Sequence, residues 1–229
     1  MGIFWDAIRK PFRTFGKTSL VALFYMIPVV NFITHFFNSG YLLEVAKAAK
    51  EQTLPQLPQW KLFGRLFFHG IIYHVILILY FLVPIAVFIG LFLDTFSAIK
   101  DFDSFWTTLS SNPLQAGISL GTLLLFIYLI PIALVSYAQN KKFRDGFDVG
   151  KILKTAFTGR YFLYFIAAFL FKCGVAIIAL YLMALTAITL VLPFVIFGYA
   201  ASIIGLTLFS VFGNICQAKV SVISARKKS

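Results

Sequence analysis

Lys172 is the single charged residue between positions 162 and 217. It lies about 12 residues, or roughly 18 Å of helix, beyond Arg160, which puts an ammonium group near the middle of a bilayer. A lysine at that depth costs about 2.5–3.5 kcal/mol on insertion scales, and intramembrane charges generally face a bundle interior or a water-filled cavity. Three chemistries fit such a residue: snorkelling along its own helix, contact with an anion or lipid headgroup, and hydrogen bonding to backbone carbonyls or Asn31. The side chain is expected to point toward protein, because headgroups lie about 15 Å from the midplane. Asn31, His35 and Asn38 form a second set. Their spacings of four and three residues share one helix face, giving a polar stripe that either lines a cavity or satisfies backbone groups freed near Pro28.

Other chemistry-bearing residues lack the spacing that catalysis needs. No HExxH or Cys/His pattern surrounds His35, His69 or His74, and no nucleophile elbow, phosphate loop or pair of intramembrane carboxylates occurs. Cys173 and Cys216 fall in apolar stretches, where a thiol acts as a small packing residue. The expectation is a protein that is not an enzyme and holds no cofactor or metal. Two function classes remain: a non-catalytic membrane component that binds lipids or a partner membrane complex, and a small transporter, channel or lipid-moving protein with a polar cavity near Lys172.

The elements that must position these residues follow from composition. Of 229 residues, 60% are hydrophobic and only 12% charged, whereas a soluble domain carries about 25% charged residues. An all-α, polytopic integral membrane bundle is implied, a single membrane domain over 1–229. Full spans are expected at 71–93, 116–137, 162–185 and 193–217, with a turn at 186–193 and Pro193 opening the last helix, where its missing N–H is not needed. The stretch 18–50 reads as a re-entrant hairpin, because its first apolar run ends at Pro28 after about nine residues, roughly 14 Å, which is half a bilayer. With both flanks of that hairpin cytoplasmic, 18 of the 20 basic residues lie inside, as the positive-inside rule requires. The expected location is the cytoplasmic membrane, with both termini cytoplasmic and the N-terminal segment retained in the mature chain.

Three segments have the pattern of helices lying in the membrane interface. The first is 1–17, which sets Phe4, Ile8, Phe12 and Phe15 against Arg9, Lys10, Arg13 and Lys17. In the second, Phe143, Phe147, Ile152, Ala156 and Phe157 oppose Lys142, Arg144, Asp148, Lys151 and Lys154. The third is the outer loop, with Phe96, Ile99, Phe102, Trp106 and Leu109. The net charge of +12, placed at the ends of apolar stretches, points to anionic lipid headgroups rather than nucleic acid. Arg9, Lys10, Arg13, Lys142, Arg144, Lys151 and Lys154 form the expected lipid surface. Small residues at Gly117-x-x-x-Gly121 and Ala201-x-x-x-Gly205 suit close helix packing within the chain. The runs Pro131 to Tyr137 and Pro193 to Tyr199 repeat one Pro-to-Tyr spacing.

The residues from 27 to 70 carry a resemblance: a break at Pro28 and Asn31, then Ser39-Gly40-Tyr41-Leu-Leu-Glu44, then Leu57-Pro58-Gln-Trp60 and Gly64 to Gly70. The chain resembles an uncharacterised family of archaeal and bacterial multi-pass membrane proteins of unknown function, in which a Gly-Tyr helix end and a Leu-Pro-x-Trp turn precede the second hydrophobic region. Lys61 and His69 stand where acidic residues are expected. The resemblance implies fold and location and carries no activity. Gly40 would permit close helix approach, Tyr41 would sit at the interface with its hydroxyl wet, and Trp60 would anchor the next segment at headgroup depth.

Overall fold

Inside hydrocarbon no water is available to backbone amides, so an apolar chain of this composition satisfies them along its own helices. The computed structural model describes residues 2–26, 28–51, 57–98, 100–189 and 191–215, with the side chains of 28–31, 50–51 and 96–98 left out. Their order is α1 (Gly2–Arg13), α2 (Phe15–Met26), α3 (Pro28–Glu51), α4 (Phe63–Phe92), α5 (Phe102–Ser111), α6 (Pro113–Asn140), α7 (Val149–Ala156), α8 (Gly159–Leu185) and α9 (Leu192–Ile215). Short 3-10 segments occupy Leu93–Ala98 and Phe143–Phe147, and the described residues contain no strand. Four helical stretches are long and apolar enough to cross a membrane: Phe63–Thr95, Pro113–Asn140, Gly159–Leu185 and Leu192–Ile215. They contain the stretches expected at 71–93, 116–137 and 162–185, and most of that at 193–217. Pro193 opens α9 as expected, one residue into the helix.

The 18–50 stretch folds as two helical arms that return on each other. Thr34 Oγ1 donates to the Phe24 carbonyl at 2.9 Å and Asn38 Nδ2 to the Val21 carbonyl at 3.4 Å, which fixes an antiparallel pairing. The arms are unequal. α2 has 12 residues and α3 has 24, so α3 is about 36 Å long. It runs beside α9, where Leu42 meets Gly205 and Ala46 meets Gly213.

The segment 1–17 is not one helix. α1 ends at Arg13, and Thr14 closes it by bonding back to the Lys10 carbonyl from both its amide and its Oγ1. Lys17 therefore belongs to α2. Ala7 and Pro11 are the buried positions of α1, while Phe12 and Phe15 are each 62% exposed.

Packing divides the chain into two compact units, residues 1–74 with 131–229 and residues 75–130. In the first, the second half of α6 is buried on every side: Ile132, Ala133, Leu134, Val135, Ser136, Tyr137 and Ala138 are all core residues. Buried Val21, Tyr41, Leu42, Val45, Leu57 and Leu206 form one cluster, with Tyr25, Trp60 and Phe209 against it. In the second unit the C-terminal part of α4 and the first part of α6 join α5. The Asp101 carboxylate accepts from the Ser104 amide at 2.7 Å and Ser104 Oγ accepts from the Asp101 amide at 2.9 Å, a capping box that starts α5 within the expected outer-loop helix.

Candidate functional site: a polar cluster beside a glycine crossing

Glycine decides where α3 and α4 meet. A Cβ at Gly40 would collide with the Leu66 carbonyl, and a Cβ at Gly70 with the Phe36 carbonyl. The two backbones thus touch at two reciprocal points, one on each helix. This crossing sets Glu44, one turn beyond Gly40, beside Arg65 and His69 of α4.

Glu44 is the centre of a charged group. Lys141 Nζ donates to its Oε1 at 2.9 Å, and Arg65 approaches the same oxygen at 3.8 Å. The side chains of Glu44 and Lys141 are 17% and 21% exposed. Burial pushes the Glu44 carboxyl up, but the hydrogen bond and charge of Lys141, with the charge of Arg65, outweigh it and hold the group below the usual carboxylate range. Lys141 also carries a left-handed backbone, φ 56°, and its amide bonds to the Tyr137 carbonyl at 2.8 Å. That is the helix-end position glycine normally fills. A lysine occupies it here with its ammonium on Glu44.

The same helices contribute a second polar contact. His69 Nδ1 and the Tyr137 hydroxyl share a hydrogen bond of 2.6 Å, and Tyr137 is fully buried. Farther along α4, His74 Nδ1 donates to the Gly70 carbonyl at 2.7 Å and its ring lies 5.0 Å from that of His35. Tyr25 meets His35 from α2 at 5.8 Å.

The residues singled out from sequence are distributed differently from the expectation. His35 packs against His74 and Tyr25. Asn38 is fully buried, and its Oδ1 has no partner among the described residues. The side chain of Asn31 lies outside the described residues. Lys172 corrects its expectation: it is exposed on α8, and no hydrogen-bond or ion partner reaches it among the described residues. Two further expectations change. Tyr41 is fully buried, with its hydroxyl donating to the Pro58 carbonyl at 2.8 Å and its ring stacked on Trp60 at 4.2 Å. The Leu-Pro-x-Trp turn is therefore a lid on Tyr41, pinned also by Lys17 Nζ donating to the Leu57 carbonyl. A Cβ at Gly117 or Gly121 would meet nothing within 4 Å, so that pair makes no close crossing among the described residues, while Gly205 does pack, on Leu42.

No motif in the sequence links Glu44 with Lys141. Part of the arrangement is legible: Gly40 permits close helix approach, and Glu44 follows it by one helical turn. The partner, 97 residues away, had no sequence signal.

Residues 23–188 match a family described as Protein of unknown function (DUF4013). The chain belongs to the DUF4013 family. No curated protein and no solved structure matches it. The DUF4013 match includes Gly40, Glu44, Arg65, His69, Gly70, Tyr137 and Lys141, so the whole crossing and its polar cluster fall inside the family region. It also includes Lys172 and α7, whereas α1 and α9 lie outside it.

Proposed function

We propose that this DUF4013 family member is a non-catalytic, multi-pass component of a prokaryotic cytoplasmic membrane that binds lipids or a partner membrane complex, the lipid reading resting on basic amphipathic segments that hold anionic headgroups. The distribution of basic residues supports a cytoplasmic position for both termini.

The observation that carries this reading is the surface of α7 and the turn before it. Ile152 and Ala156 are buried, yet Phe143, Val149 and Phe157 remain 43%, 63% and 77% exposed. They alternate with Lys142, Arg144, Lys151 and Lys154. The acids of the segment are engaged locally: Asp148 caps α7 through the Lys151 amide at 3.1 Å, and Asp145 accepts from the Asn140 side chain. Exposed aromatics beside cations match the interfacial depth, where the ring enters the acyl boundary and the charge meets phosphate. α1 repeats the chemistry with Trp5 under the Arg9 guanidinium at 4.8 Å, both exposed, next to Phe12 and Arg13. Lys10 is half-buried there, and burial lowers its pKa against the opposing charge of Asp6, so Arg9 and Arg13 present the stronger contacts.

Full-length protein in nanodiscs of mixed phosphatidylglycerol and phosphatidylcholine tests the reading, with co-purifying lipid measured by mass spectrometry. Each cation near an anionic surface contributes about 1 kcal/mol. Replacing Lys142, Arg144, Lys151 and Lys154 with Gln should therefore reduce the preference for phosphatidylglycerol at least tenfold, and salt should erode it in the wild type. An unchanged preference in the variant would sink the proposal.

A further inference from the structure

The segment between the membrane-length helices α6 and α8 encloses a cavity of about 620 Å³, lined by Lys142, Arg144, Asp145, Phe147, Asp148 and Val149. Its charged residues are two of each sign. No ion pair joins either cation to either carboxylate among the described residues, where the ion pairs formed are those of Glu44 with Arg65 and Lys141. Each carboxylate has one oxygen committed: Asp145 Oδ2 accepts from Asn140 Nδ2, and Asp148 Oδ1 from the Lys151 amide. The second oxygens, Asp145 Oδ1 and Asp148 Oδ2, have no partner among the described residues. Lys142 and Arg144 are exposed and donate to no described group. Opposite charges thus share one cavity and leave each other's hydrogen-bonding capacity unused.

We propose that this cavity binds the phosphoethanolamine headgroup of a membrane phospholipid, with Lys142 and Arg144 donating to its phosphate and the free oxygens of Asp145 and Asp148 accepting from its ammonium. The inference rests on the reading of this segment as a headgroup surface, and it adds a zwitterionic headgroup to the anionic ones. Charge balance selects the class. Two cations and two carboxylates cancel, so neither a simple anion nor a simple cation matches the whole lining, whereas a phosphate joined to an ammonium does. A primary ammonium fits better than a quaternary one, because carboxylate oxygens need N–H donors. Quaternary groups are recognised by cages of aromatic rings, and this cavity has one ring, Phe147. Location selects a lipid over a soluble source: Lys142 lies two residues beyond the end of α6 and Val149 ten before the start of α8, both long and apolar enough to span. Exposed Phe143 and Phe157 on the same segment suit the acyl boundary.

The test uses full-length protein in nanodiscs of equal phosphatidylethanolamine and phosphatidylcholine, beside a parallel set of phosphatidylglycerol and phosphatidylcholine, with co-purifying lipid measured by mass spectrometry. Phosphatidylethanolamine should be enriched over phosphatidylcholine about tenfold, the factor that one charge-assisted hydrogen bond supplies. Asp145→Asn combined with Asp148→Asn keeps a capping side chain at position 148. It should return the ratio of phosphatidylethanolamine to phosphatidylcholine to that of the nanodisc and leave the enrichment of phosphatidylglycerol undiminished. Equal retention of phosphatidylethanolamine and phosphatidylcholine by the wild type would overturn the proposal, as would an enrichment that survives the double substitution. Loss of both preferences in a folded variant would place the carboxylates in the general architecture of the segment and overturn their headgroup role. The anionic-surface reading fails separately, when the phosphatidylglycerol preference survives replacement of the four cations with Gln. Glycerophosphoethanolamine, the same headgroup without acyl chains, is added at a concentration equal to that of the lipid; displacement of the lipid would assign the cavity to a soluble zwitterion and overturn the lipid source. Should the double variant fail to fold by circular dichroism, Asp145→Asn alone should lower the ratio severalfold, and an unchanged ratio would overturn the proposal.

Discussion

Glu44 shows how one side chain changes character with its surroundings. At a helix end in water it would be an ordinary carboxylate, worth little when paired. Placed beside Lys141 and Arg65 with most of its surface covered, it becomes a group whose neutralisation leaves a half-buried ammonium unpaired, at a cost of about 1.5–3 kcal/mol. Because its folded pKa lies below the ordinary value, the stabilisation is complete above about pH 4.3, the unfolded value, and is lost as pH falls through the folded value. Glu44→Gln should lower the melting temperature at neutral pH and flatten the decline between neutral and acidic pH. Melting of both proteins in detergent across that range checks this, and an equally steep acid limb in the variant would refute the assignment. Lys172 belongs to the same scale but to the opposite case. It is charged and exposed, with no described partner, so it adds an insertion penalty and no bond that the fold can use.

Between elements, the crossing of α3 and α4 rests on two glycines, and it is tight enough that a single methyl group matters. Adding one at Gly40 or Gly70 places it on a carbonyl of the facing helix, and since both contacts are backbone, the helices themselves must separate. Overpacking of this kind costs about 1–3 kcal/mol. Gly40→Ala and Gly70→Ala should therefore each reduce thermal stability and weaken the Glu44 to Lys141 pair, whereas Gly121→Ala, in open space, should be neutral or raise stability by up to about 1 kcal/mol through helix propensity. Melting curves of the three variants separate these outcomes. Equal stability of Gly40→Ala and Gly121→Ala would contradict the crossing. The Leu-Pro-x-Trp turn is bound to the same arrangement, since Trp60 covers Tyr41, the residue that follows Gly40.

Across the whole chain, the proposed orientation rests on where the cations lie relative to four apolar helices long enough to span. The short 57–62 segment precedes α4 and carries Lys61, while Lys100 follows the same span. If α2 and α3 return to the side they left, a thiol at Lys61 reacts from the cytoplasmic face and one at Lys100 from the opposite face. Single-cysteine variants in a cysteine-free background, labelled with an impermeant maleimide in intact cells and in inverted vesicles, give the answer. Reaction of Lys61→Cys from the outside would exclude the hairpin orientation.

The sequence by itself determined class, helix number and approximate ends, because hydrocarbon length and backbone satisfaction leave a 20-residue apolar run almost no other form. It located the Pro28 break, the turn after α8 and the value of a glycine at position 40 for the same local reasons. It placed Lys172 by depth but not by direction, and it put Tyr41 in the interface. Direction depends on which neighbour occupies each face, and in a membrane helix that is apolar all round no periodicity marks the buried side. Lys141 reaching Glu44 and His69 reaching Tyr137 depend on contacts between distant segments, and those only the tertiary structure decided.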